Sequence, residues 1–152
     1  MGDLEDLKSI EEIKVLRHRY CFLLDQRNWD DALELFTDDA NADFGIMGNL
    51  PDRDALLALW KEEVAPGFIF AAHMMHNPII RVRGNEADGD WYLTCHATST
   101  DNEAVLMFAL THDEYRRVDG VWKFKTIQYE FKYLTPYEQG WGKMPFPPSD
   151  KD

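Results

Sequence analysis

Cysteine is scarce in this 152-residue chain. Cys21 and Cys95 are the only two, so at most one bridge can form, and no C-x-x-C pair offers a metal or redox site. That usage fits a reducing compartment, and a cytoplasmic location is the expectation. No run approaches the roughly 18 to 20 apolar residues of a membrane span. The start, Met1-Gly2-Asp3-Leu4-Glu5-Asp6, lacks the basic and apolar segments of a secretory signal. Basic charge is also short, with 16 Lys and Arg against 28 Asp and Glu, a formal charge of −12. Phosphate backbones and anionic lipid surfaces are repelled by such a chain, so neither nucleic acid nor membrane is an expected partner. No N-x-[ST] sequon, G-x-G-x-x-G, P-loop, G-x-S-x-G or H-E-x-x-H occurs, nor any internal repeat, which leaves nucleotide, serine-hydrolase and zinc-protease chemistry without a motif.

What is present is core material: 45% of residues are apolar and 13% aromatic, enough for one folded domain at this length. Ser9-Ile10-Glu11-Glu12 has the form of a capping box and opens a stretch with Ile10, Ile13, Leu16, Tyr20 and Leu24 at three- and four-residue spacing, which predicts a helix over 9–25. Asn28 is placed to cap a second helix ending near Thr37, followed by an acidic loop at 38–43. Pro51-Asp52-Arg53-Asp54 leads into a third helix closed by Pro66-Gly67. Beyond Phe68 the texture turns β-branched and aromatic, with turn signals at Gly84-Asn85, Asp88-Gly89-Asp90, Thr100-Asp101-Asn102 and Asp119-Gly120. Strands are expected near 69–75, 78–83, 87–98, 104–117 and 121–133. Four prolines from Pro136 onward predict an extended arm over 135–152, with 1–8 as an N-terminal extension and 9–134 as the domain. The fold class is therefore α+β: a cone-shaped, curved antiparallel β-sheet covered by N-terminal helices, with an apolar concave interior suited to a small molecule.

Five histidines offer acid–base chemistry, and His73-Met74-Met75-His76 sets two of them among large apolar residues. On a strand, positions three apart point to opposite faces, so His73 and His76 are not expected to share a metal, and no metal site is expected. Histidine serves as a base near neutral pH when a carboxylate orients its second ring nitrogen. Asp25 ends the apolar stretch Cys21-Phe22-Leu23-Leu24 and would need a partner if buried. Tyr20 lies five residues earlier, about 140° around a helix, so the two converge only at the helix end. Tyr20 also fits the apolar stripe, and Met107 and Phe131 suit either packing or an adaptable pocket wall.

Several segments, in order, carry a resemblance: Tyr20-x-x-x-x-Asp25, Trp29-Asp30, His73-Met74-Met75-His76-Asn77-Pro78, Trp91-Tyr92-Leu93, Tyr115-x-x-x-Asp119-Gly120-x-Trp122 and Thr135-Pro136-Tyr137. Over roughly 8–146 the chain resembles the SnoaL-like branch of the nuclear transport factor 2-like (NTF2-like) superfamily. The likeness is closest to the bile-acid 7α-dehydratase and hexachlorocyclohexane dehydrochlorinase group, with scytalone dehydratase more distant. The resemblance implies a cofactor-independent lyase in which His73, paired with Asp25, removes a proton while water or halide leaves, and Tyr20 assists the carbonyl or leaving group. Two positions depart from the bile-acid enzyme: Cys95 stands where it has an Asp, and Phe131 where it has an Arg. Both changes make the expected pocket more apolar. With Met107, Ala109 and Ile127 they form the expected lining for a hydrophobic cyclic or aromatic substrate. A homo-oligomer, a trimer by resemblance, is implied as well. A polyketide-cyclase-like or ketone-isomerase-like enzyme and a non-catalytic binding or assembly module stay open as alternatives.

Overall fold

Residues 3–148 are described in a computed structural model. The first helix, α1 (Asp3–Asp25), starts well before the expected position 9. Ser9 does not cap it. Its buried hydroxyl instead accepts a hydrogen bond from Arg117 Nη2 at 2.7 Å, and Glu5, one turn earlier, pairs with Arg117 Nη1 at 3.0 Å. The capping-box signal is thus spent on a tertiary contact, and the helix runs through it, so residues 3–8 are helical and not a separate extension.

The short α2 (Trp29–Leu33) stops earlier than expected, because Phe36 begins a strand. That strand, β1 (Phe36–Asp43), takes in the acidic segment expected as a loop. From Asp39 to Asp43 the strand alternates with period two, Ala40 and Ala42 inward and Asp39, Asn41 and Asp43 toward solvent, a pattern that small residues and carboxylates disguise. A two-residue strand, β2 (Asn49–Leu50), pairs with its end. Asp52 then caps α3 (Arg53–Ala58), its carboxylate accepting the Ala55 N–H at 2.9 Å. The helix continues as a π-helical stretch, Leu59–Val64, and a closing turn, Ala65–Gly67.

Four long strands follow: β3 (Phe68–Arg83), β4 (Glu86–Ser99), β5 (Ala104–Val118) and β6 (Val121–Pro136). The two strands expected over 69–83 are one, interrupted by a register shift between His76 and Ile79 where Asn77 takes a φ of 53° ahead of Pro78. The sheet order is β2-β1-β6-β5-β4-β3, with β1 parallel to β6 and every other pairing antiparallel. The sheet is consequently mixed and not closed into a barrel, a correction to the purely antiparallel expectation. The parallel pair arises because the chain leaves β1 through α3 and returns at the opposite edge.

The main core lies between α1 and the sheet around Ile13, Leu16, Tyr20, Phe36, Trp60, Tyr115, Trp122 and Phe124. Burying a large side chain of this kind contributes about 1.5–3 kcal/mol, so this cluster is the principal source of stability. A smaller group, Cys95, Ala97 and Met107, packs with Phe131 and Leu134 toward the other end of the sheet. Between the two clusters the interior is not filled. Gly45, at a φ of 57°, lets the chain approach the backbone oxygen of Tyr129 and turns Phe44 onto the Tyr129 ring, with centroids 4.4 Å apart.

Candidate active site

Asp25 is the last residue of α1, where the helix dipole disfavours a carboxylate. Its partner compensates. The backbone N–H of His73 donates to both carboxylate oxygens at 3.1 and 3.2 Å, and His73 Nδ1 lies 2.6 Å from Oδ1. One β3 residue therefore holds Asp25 through main chain and side chain together. The bond at Nδ1 fixes the neutral tautomer with its proton on that nitrogen and leaves the Nε2 lone pair free. Both side chains are largely covered, with 21% and 24% of their surface exposed, so the pair is screened little by solvent.

Burial opposes a positive charge on His73, but the hydrogen bond to Asp25 and the contact with Cys95 outweigh it. The imidazole pKa is pushed up from 6.5 to about 9. At neutral pH the resting ring is an imidazolium. Its neutral form is correspondingly a strong base.

These groups open onto a cavity of about 80 Å³ between the two clusters. Its walls are apolar over most of their area: Leu24 of α1, Trp29, Leu59, Trp60 and Val64 from the helical segments, and Leu93, Met107 and Phe131 from the sheet. The π-helical stretch brings Leu59, Trp60 and Val64 to the cavity; such irregular turns recur where a helix must present extra residues to a site. Arg27, exposed and at a φ of 59°, stands at the rim and donates to the Ala65 carbonyl at 3.1 Å and to the Phe68 carbonyl. It ties the end of α1 to the start of β3, the two elements that carry Asp25 and His73.

Of the residues expected at the site, Asp25, His73, Tyr20, Cys95, Met107 and Phe131 all line this cavity. Ala109 and Ile127 do not. Both are fully buried, and Ile127 belongs to the main core. Tyr20 and Asp25 reach the cavity from different sides of the last turns of α1 with Leu24 between them, as their angular separation requires. His76 is exposed and takes no part.

Tyr129 also lines the cavity and was not among the expected residues. Burial raises the pKa of its phenol and of that of Tyr20, with Arg17 opposing. Both remain protonated and able to donate. Arg17 lies behind them, wholly buried, its guanidinium carbon 5.3 Å from the centre of the Tyr20 ring and 5.8 Å from that of Tyr129. Its Nε is 3.0 Å from Asp113 Oδ2, and Asp113 is equally buried. The Tyr115 hydroxyl donates to Asp113 at 2.8 Å and accepts from Trp91 Nε1 at 3.0 Å. The inward alternation Thr111, Asp113, Tyr115 was the one signal in the sequence that could have located this pair. Among the described residues no group of three or more His, Cys, Asp or Glu is arranged to hold a metal ion, and no helix is long and apolar enough to cross a membrane.

The family model described as the SnoaL-like domain matches residues 5–128. An uncharacterized protein of Mycobacterium tuberculosis is 32% identical over 125 residues, covering 79% of this chain and 84% of that protein. The gamma-hexachlorocyclohexane dehydrochlorinase of Sphingobium indicum is 29% identical over 141 residues, covering 90% and 88%. Among solved structures, a hexachlorocyclohexane dehydrochlorinase of Novosphingobium barchaimii superposes with a TM-score of 0.81 at 25% identity, covering 97% of this chain and all of that one. A scytalone dehydratase-like protein of Novosphingobium aromaticivorans shares the fold, with a TM-score of 0.81 at 22% identity and coverage of 87% and 89%. Matched along most of its length, the chain belongs to the SnoaL-like domain family and has the NTF2-like fold.

Proposed function

We propose that this protein is a lyase that removes a proton from carbon in a compact hydrophobic ring compound, with departure of water or halide from the neighbouring carbon. The observation that carries the reading is the Asp25–His73 pair, joined at 2.6 Å, at the wall of an otherwise apolar cavity. Neutral His73 takes the proton on Nε2, the C–H electron pair becomes the new double bond, and the leaving group departs with its bonding pair. Asp25 orients the ring and stabilises the imidazolium that forms. Tyr20 and Tyr129 supply protonated hydroxyls to the same cavity, suited to protonating a departing hydroxide or holding a developing oxyanion. The relatives named as dehydrochlorinases and the dehydratase-like neighbour support an elimination.

An isomerase or cyclase of the same fold would also use a base and a phenol donor in one cavity, and the two tyrosines that line it favour that second reading where the substrate is a ketone. Incubation with hexachlorocyclohexane and with a cyclic β-hydroxy ketone, followed by product mass analysis, separates them. An alkene formed with loss of halide or water supports the lyase. A product of unchanged mass supports the isomerase, and no product from either class overturns both.

A further inference from the structure

Cys95 stands directly opposite His73 in the β3–β4 ladder, and both side chains face the cavity. Residues paired in this way have Cβ atoms about 4.5–5.5 Å apart, which is thiol-to-imidazole contact distance. Asp25 occupies Nδ1, so Nε2 is the ring nitrogen left for the sulfur. Among the described residues the hydrogen bond of Cys95 Sγ runs to the His96 carbonyl, at a long 3.8 Å. The elimination described above makes no use of the sulfur, yet it sits in the order carboxylate, imidazole, thiol that activates cysteine nucleophiles elsewhere. Contact with the thiol also favours the protonated form of the ring.

We propose that Cys95, His73 and Asp25 give this cavity a second, nucleophilic activity: addition of the Cys95 sulfur to a carbon–carbon double bond conjugated to a ketone. In the fraction of the protein whose His73 is neutral, Nε2 takes the thiol proton, and the thiolate forms a bond to the β-carbon. The π pair shifts through the enolate, whose oxygen can accept from a phenol in the cavity, Tyr20 or Tyr129. The α-carbon then recovers the proton from the imidazolium. The product is a thioether that contains every atom of the enone, so no oxidant, reductant or leaving group is involved. Apolar walls and the limited volume select small cyclic enones over charged or extended electrophiles. The inference does not depend on the elimination reading, since adduct formation requires no turnover.

Cys21 provides an internal reference. It is buried in α1, does not line the cavity, and burial pushes its thiol up to about 11. The full-length protein is incubated at pH 7.5 with cyclohex-2-enone and followed by intact and peptide mass spectrometry. The expected result is one probe mass per chain, on Cys95, before any on Cys21, with labelling slowed by about 10² in His73→Gln. Equal labelling of the two cysteines in the folded protein, no labelling of Cys95, or an unchanged rate in His73→Gln each overturns the proposal. If His73→Gln fails to fold, slower labelling of wild-type Cys95 when an apolar ring such as cyclohexane occupies the cavity replaces that arm, and an unaffected rate overturns the proposal. Failure here concerns the sulfur alone; failure of elimination shows in product analysis, where no thioether is measured.

Discussion

Asp25 holds His73 at two points, the backbone N–H and ring Nδ1, the latter at 2.6 Å, so the carboxylate sets both where β3 lies against α1 and how the imidazole is turned. Substituting Asp25→Asn keeps the shape but removes the charge and offers the ring an amide that can donate as readily as accept. Turnover is expected to fall by about 10² to 10⁴, in line with other dyads that lose their orienting carboxylate. The imidazole titration, followed by NMR, is expected to move down from about 9. A titration that stays near 9 in Asp25→Asn would assign the raised pKa to some other group.

Stability should follow the same pair. The folded-state pKa of His73 lies above its unfolded value, so the protonated form is favoured by folding. The contribution is fully present below pH 6.5 and is lost as the pH rises through about 9. Each tenfold gain in proton affinity is worth about 1.4 kcal/mol, which sets an upper bound of about 3.5 kcal/mol on the contribution. Urea unfolding of wild type and His73→Gln at pH 6 and pH 10 is expected to show a gap between them at the lower pH that shrinks at the higher. A constant gap would contradict the linkage.

Arg17 and Asp113 form a fully buried ion pair at 3.0 Å. Arg17→Met leaves Asp113 charged and unpaired, and the expected loss is about 3–5 kcal/mol by denaturant unfolding. The double variant Arg17→Met with Asp113→Leu is expected to be more stable than Arg17→Met alone, since both desolvated charges are then gone. A double variant as unstable as the sum of the single ones would show that the two groups act independently.

The phenols should matter according to the leaving group. Tyr20→Phe and Tyr129→Phe remove one donor each while keeping the ring packing. For a substrate that loses water, turnover is expected to fall by about 10². For one that loses halide, which needs no proton, the change is expected to be much smaller. Equal losses on both substrates would place the hydroxyls in binding instead of leaving-group protonation.

Much of this architecture was legible in the sequence, and the exceptions share causes. The helical spacing from Ile13 to Leu24 and the turn signals at Gly84-Asn85, Thr100-Asp101-Asn102 and Asp119-Gly120 mark helices and strands because local propensity and tertiary packing agree there, whereas Asp88-Gly89-Asp90 lies within β4, paired on both sides. At β1 they disagree: Asp38 to Asp43 reads as a loop, and pairing with β6 and, at its end, β2 makes it a strand. Asp25 and His73 stood out because a charge and an imidazole interrupt apolar runs. Tyr129 and Arg17 did not, since an aromatic in a strand and an arginine on a helix are ordinary in composition, and the burial of Arg17 depends on Asp113, 96 positions away in the chain. Ile127 shows a further limit. Alternation tells which face of β6 a residue occupies but not its depth, and Ile127 is part of the main core with Phe36, Phe124 and Trp60.

The most direct test is turnover by His73→Gln, with circular dichroism and unfolding matched to wild type, on whichever substrate the wild-type protein converts. Glutamine keeps a polar side chain of similar reach at the cavity wall but cannot accept a proton from carbon. Loss of activity by at least about 10² is expected, with partial recovery of the smaller His73→Ala variant on addition of free imidazole. Turnover by His73→Gln within a few-fold of wild type would contradict a role for this imidazole as the base.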